Sequence, residues 1–298
     1  MMSRTFRRRK WLSMSDPGQS SRHNHCGYIG PMGSPSQDTA ADKTLWVLEA
    51  LADHSRIADI AAATGLRRPT VHRILQTLVE RGFARTNGEG DYFGGPRVLS
   101  LAGRLLQRLD LPQQARPLLQ ELQTSTGWTV HLALLSGDEA VYAEKLEGHK
   151  PYHLASRVGT SLSLHSTSIG KSILSAMPDD AVRAIVARTG MPARTPHTLT
   201  SEAALLDELA NVRSQGYAED HEENEEGVCA VGAPVFEHTG QVVGAVSAAA
   251  LVHLPANGPM NEHGPMVAAT AKAVSEDLGA PLTRLAHSGS TCISGGAR

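Results

Sequence analysis

Cysteine is scarce in this chain. Cys26, Cys229 and Cys292 are odd in number and far apart, which excludes a disulfide scaffold and a cysteine-rich zinc site and suits a reducing cytoplasm. No run of 18 apolar residues occurs, so a membrane span is not expected. Aromatic residues are only 4% of the 298, leaving few rings from which to build a stacking site. Net charge is also small, −2, but it is unevenly placed. Residues 1–38 carry six Lys/Arg against two acids, residues 39–97 eight against seven, and residues 98–298 fourteen against twenty-one. A basic front and an acidic back point to a front that meets nucleic acid. With 41% hydrophobic and 19% charged residues, the remainder is an ordinary globular composition, long enough for two domains.

Residues 1–38 are rich in Ser, Gly and Pro and lack periodicity, and they read as a disordered basic tail. Arg7–Lys10 precede Trp11 and Leu12, but no apolar stretch follows, so an export signal is not expected. From Asp42 the pattern turns helical, with Thr44, Val47, Leu48 and Leu51 on one stripe. A second helix buries Ile57, Ile60 and Ala61, with Ser55 as its N-cap and Gly65 at its end. A third, over Pro69–Arg81, buries Val71, Ile74, Leu75 and Leu78. Two short helices joined by a tight Gly-containing turn read as a helix-turn-helix.

The opposite face of the third helix presents His72, Arg73 and Gln76, and Arg67, Arg68 and Thr70 crowd its start. A recognition helix needs this division, because residues near its N-terminus reach base edges while flanking cations meet phosphates. After it, Gly82–Arg85, Asn87–Gly90 and Asp91–Phe93 read as a hairpin, a wing carrying Arg85. Residues 39–97 are therefore expected to form a winged helix-turn-helix that binds a double-stranded DNA operator through these seven side chains.

At these residues the sequence resembles the IclR family of bacterial transcriptional regulators. The matching string is IADIAAATGLRRPTVHRILQTL at Ile57–Leu78, and LSLHSTSIGKSILSA (Leu162–Ala176), GYAEDHEENEEG (Gly216–Gly227) and APV (Ala233–Val235) follow in order. The resemblance spans about residues 40–280. It implies an α+β architecture: the winged helix-turn-helix, a connecting helix over 98–112, a GAF/PAS-like α/β effector-binding domain over 113–280, and a flexible tail over 281–298. It also implies a homodimer or dimer of dimers. Val98, Ala102, Leu105 and Leu109 supply a seam suited to helix–helix contact, with Pro112 breaking that helix.

Catalytic motifs are missing from the second half. Gly170-Lys171-Ser172 ends like a phosphate-binding loop, but His165 stands where that loop needs Gly. No G-x-S-x-G elbow occurs, and no cofactor or metal motif is present. His165, Ser166 and Ser168 read locally as caps for the next helix; the resemblance adds that this loop, with Ile169, lines an effector pocket. The six carboxylates of Glu219–Glu226 read as a solvated acidic loop, within which the resemblance assigns Asp220 and Glu223 to the ligand or its hydrogen-bond network. Relatives that bind small oxo-acids carry a Cys and two Ser at positions occupied here by Ala230, Ser247 and Ala249. Cys229, one residue away, would point to the other face of a strand. Losing two polar groups suggests a bulkier or partly hydrophobic metabolite. The expectation is a cytoplasmic, non-enzymatic regulator without cofactor or metal. The competing reading is a GAF-like ligand-binding or catalytic protein with a non-functional helix-turn-helix, against which Arg67, Arg68 and Arg73 weigh.

Overall fold

The computed structural model describes residues 38–106, 110–148, 153–252 and 260–281. Leu109 and nearly all of both expected tails lie outside them. The chain divides into two compact units, one ending at Ala102 and one starting at Gly103, inside the stretch read as a connecting helix.

In the first unit, α1 (Ala40–Ala50) begins with a reciprocal cap in which Thr39 and Asp42 satisfy each other's main-chain N–H groups. Helix α2 (Ile57–Thr64) ends at Gly65, whose φ of 68° is the left-handed conformation that glycine adopts without strain. Helix α3 (Arg68–Glu80) carries Pro69 in its first turn and starts one residue earlier than the periodicity suggests. Val47, Ile60, Val71 and Leu75 are fully buried at the centre of this three-helix packing. Strands β1 (Ala84–Thr86) and β2 (Tyr92–Gly94) form the wing, with Arg85 opposite Phe93. Ser55 does not cap α2. Arg56 stands at that position without a capping bond, and the Ser55 hydroxyl donates instead to Asp91 of the wing at 3.3 Å. The reason is tertiary: the Ser55 carbonyl accepts from Tyr92 N–H, so this segment pairs with the wing.

Helix α4 (Pro96–Leu106) leaves Leu99, Leu101 and Leu105 exposed. Pro112 does not end it. Helix α5 (Leu111–Thr126) starts with Asp110 as its cap, and Pro112 occupies its first turn, where a missing N–H costs nothing.

The second unit is built on a six-stranded antiparallel sheet, in the order β5 (Ser161–Leu162), β4 (Glu139–Leu146), β3 (Thr129–Ser136), β8 (Val242–Leu251), β7 (Val228–Phe236), β6 (Ala218–His221). Alternation along the strands sorts side chains to two faces. Val130, Leu132, Val231, Val246 and Ala248 meet α5 and α9 (Met260–Asp277) on one side. Ala133, Ala140 and Ala245 meet α6 (Ser168–Ser175), α7 (Asp179–Thr189) and α8 (Glu202–Gln215) on the other. Helix α6 is buried along its whole length. Its cap is Thr167, which accepts from Gly170 N–H at 2.9 Å, and not His165, Ser166 or Ser168. Gly232 explains how close it lies: a Cβ there would sit 2.8 Å from the Ser168 backbone. Among the described residues, no helix is long and apolar enough to cross a membrane.

Candidate functional site

On α3, Arg67, Arg68, His72, Arg73 and Gln76 are exposed, and Thr70 is half-buried at the helix start. The buried stripe anchors the helix by its opposite face, so the polar face is free to meet a partner. Gln76 is not idle: its Nε2 lies 3.4 Å from His72 Nε2 and 3.5 Å from the Tyr92 hydroxyl, which ties the helix to the wing. Arg85 on the wing stacks its guanidinium 5.8 Å from the centre of the Phe93 ring.

In the second unit, the sheet register gathers polar groups beneath the start of α6. Asp220, Ala230 and Ala249 lie side by side across β6, β7 and β8. Beside them runs a second row, Gly232, Ser247 and His131, across β7, β8 and β3. Asp220, Ala230, Ala249, Ser247 and His131 of these rows floor a chamber of about 60 Å³ that α6 covers with Ser168 and Ile169. Of the nine residues expected to face an effector, these six converge: Ser168, Ile169, Asp220, Ala230, Ser247 and Ala249. Three do not. His165 Nε2 lies 3.2 Å from the Pro192 carbonyl, the Ser166 hydroxyl donates to Asn224, and Glu223 is turned to a buried lysine. Cys229 faces the α5/α9 side of the sheet and is half-buried there, as the alternation requires.

The structure adds residues that the sequence reading passed over. His131 and Tyr142 line the chamber with their rings 4.8 Å apart, and His131 Nε2 lies 2.8 Å from the Ser156 hydroxyl. The signal for His131 was available: within TVHLALL it has the opposite parity to Val130 and Leu132. Burial, with Lys145 nearby, drives its pKa down to about 3, so the ring is neutral at physiological pH. Burial lifts the Asp220 carboxyl to about 7, although N–H groups of Glu223 and Asn224 favour its charged form. Burial, then the Asp220 and Glu225 charges, raises Tyr142 to about 12.

Lys171, the residue that ends the false phosphate loop, is 1% exposed. Its Nζ donates to Glu223 Oε1 at 2.6 Å and to Glu208 Oε1 at 3.1 Å. This ion pair pins the loop that presents Asp220, whose Oδ1 accepts from Glu223 N–H at 2.8 Å. Thr195 and Thr198 hold the same loop by donating to the carbonyls of Glu222 and Glu223, each at 2.6 Å.

Residues 40–88 match the profile described as the IclR helix-turn-helix domain, and residues 103–276 match the bacterial transcriptional regulator IclR C-terminal domain. The chain is 38% identical over 197 residues to the HTH-type transcriptional regulator XynR of Escherichia coli, covering 66% of this chain and 78% of that one. It is 31% identical over 248 residues to the HTH-type transcriptional regulator KdgR of E. coli, covering 82% and 94%. Among solved structures, an IclR-type chain from Silicibacter sp. TM1040 superposes with a TM-score of 0.74 at 27% identity, covering 82% of this chain and 97% of that one.

Proposed function

The chain belongs to the IclR family of bacterial transcriptional regulators, and from that premise we propose how its residues divide the work of an effector-responsive, DNA-binding regulator. His72, Arg73 and Gln76 of α3 read bases in the major groove, and Arg67, Arg68, Thr70 and Arg85 hold phosphates. The chamber beneath α6 binds the effector. The observation that carries this reading is convergence: side chains from α6 and five different strands meet around one small chamber.

Asp220 is poised to titrate near neutrality, and in its protonated form it donates a hydrogen bond to an effector oxygen; Ser247 and Tyr142 add hydroxyls beside it. A chamber of about 60 Å³ has room for about two waters at roughly 30 Å³ each, so it suits a compact polar end rather than a bulky one. The effector must favour one arrangement of the DNA-binding units over the other, and operator DNA then changes effector affinity by the same factor. The exposed leucines of α4 are read as a contact with a second copy of the chain. Its place of action is read as the cytoplasm.

A catalytic reading has one observation in its favour, the Ser156–His131 pair at 2.8 Å. Burial disfavours the imidazolium that such a step must form, and among the described residues no carboxylate hydrogen-bonds the His131 ring to orient or stabilise it. The site is therefore read as one that binds and does not turn over.

The test is calorimetry against a metabolite panel, followed by Asp220→Ala and Ser247→Ala with the compound that binds. Effector affinity is expected to fall while operator binding without effector persists. Unchanged affinity in both variants would remove the chamber from the function.

A further inference from the structure

The fold uses only one face of the wing. Ala84 and Tyr92 are buried on the inner face, where Tyr92 N–H donates to the Ser55 carbonyl at 2.8 Å and Gln76 Nε2 lies 3.5 Å from the Tyr92 hydroxyl. Strand alternation sends Arg85 and Phe93, paired across β1 and β2, to the outer face, and Phe93 is 40% exposed there. Phe83, two residues before Arg85, shares that face, because pairing continues through the Gly95 N–H bond to the Phe83 carbonyl at 2.8 Å.

Each ring carries an arginine. The Arg85 guanidinium lies 5.8 Å from the centre of Phe93, and that of Arg97, in the first turn of α4, lies 5.8 Å from the centre of Phe83. Arg97 is fixed at its root, where its N–H donates to the Gly82 carbonyl at 3.1 Å. Both arginines are exposed, and among the described residues neither forms an ion pair with a carboxylate. Of the two acids on the wing, Asp91 is engaged by Ser55 and Arg56, and Glu89 stands in the turn. A strip of alternating ring and cation, Phe93–Arg85–Phe83–Arg97, therefore runs from the wing onto α4. Stacking orients a guanidinium and leaves its N–H edge available for phosphate oxygens, and the exposed ring beside it offers apolar surface.

We propose that this strip is a second contact with double-stranded DNA, in which Arg85 and Arg97 hold two phosphates and Phe93 lies against an adjoining deoxyribose. The inference rests on the DNA-binding reading of α3 and carries it past the wing to α4. Phe93 and Arg97 stand outside the seven side chains expected from the sequence. The contact reads no base edge, so it adds affinity for any duplex and leaves sequence choice to α3.

A random-sequence duplex is the probe, because a contact of this kind needs no operator. Fluorescence anisotropy with the full chain, from about 50 to 200 mM salt, gives both the affinity and its salt slope. Arg97→Gln keeps the aliphatic stem over Phe83 and is expected to lower the slope by about one unit. Phe93→Ala is expected to weaken binding about three- to eightfold at every salt concentration with the slope unchanged, the effect of losing cover for the exposed 40% of the ring. Phe93→Leu should keep most of the affinity. Both positions are exposed, so the folded state persists in each variant. Unchanged affinity in Phe93→Ala, or an unchanged slope in Arg97→Gln, would overturn the strip. If both respond as expected while Arg73→Ala loses operator and random DNA equally, the strip stands and the placement of the recognition face falls.

Discussion

Asp220 and His131 face one chamber, and their titrations oppose each other. In the fold, Asp220 keeps its proton up to about pH 7 and His131 lacks one down to about pH 3. Near pH 5 the unfolded chain also holds one proton on the pair, but on the histidine. The raised carboxyl contributes stability that is complete below pH 3.8 and lost as pH climbs through 7, about 4 kcal/mol in all. The depressed imidazole does the reverse: its contribution is complete above pH 6.5 and lost as pH falls toward 3. The two slopes nearly cancel between pH 4 and 6.5. Asp220→Asn keeps the acceptor for Glu223 N–H and cannot ionise, so it should uncover the histidine slope. Urea unfolding should show the variant gaining on the parent steadily from pH 4 to 7; a constant difference would mean that Asp220 titrates as in water. Lys171 gives a second test at this scale. Lys171→Met leaves the Glu223 carboxylate buried without its cation and should cost about 3–5 kcal/mol in the same experiment. A cost below about 1 kcal/mol would show that water reaches the pair.

Among the elements, α3 and the wing were legible because their signals are local. A stripe at helical spacing, a Gly at the helix end and glycines at a hairpin tip all lie within a few residues of what they specify. The misreadings were not local. Ser55 reads as a cap until the wing claims its segment, and Pro112 reads as a breaker until its helix proves to start beside it. The chamber is non-local too: Asp220, Ala249 and His131 meet only through strand register. The acidic loop bore family motifs, whereas His131 and Tyr142 bore none; Lys171 sits inside a matching motif, but its burial against Glu223 shows only in the fold. For the DNA-binding unit, Arg73→Ala should weaken operator binding by about 1–3 kcal/mol and spare random DNA. Arg85→Ala should weaken both alike and lower the salt slope by about one unit. Salt-titrated binding of each variant to both DNAs decides the matter, and equal losses for Arg73→Ala would place the recognition face elsewhere.

For the whole molecule, the uneven charge seen in the sequence takes on a structural meaning. The acidic excess belongs to residues 98–298, and the exposed arginines of α3 and the wing belong to the first unit, which is where polyanion binding is needed. Assembly is the property at this scale that a substitution can test. Leu101 and Leu105 lie one turn apart on α4 and are both exposed. On the proposed reading of α4 as a contact between two copies, replacing both with Asp should lower the sedimentation coefficient at micromolar protein and weaken operator binding through the loss of the second half-site. Variants that sediment as the parent does would assign α4 no part in assembly.

The backbone contact at Gly232 has a consequence for chemists who would design ligands. Where α6 presses on the sheet, main chain meets main chain, and no rotamer change can make room. On the Tyr142 side the wall is a side chain shared with an open groove, and it can yield. In a congeneric series, a methyl group added toward the helix should abolish response abruptly, while the same methyl added toward Tyr142 should reduce it by degrees.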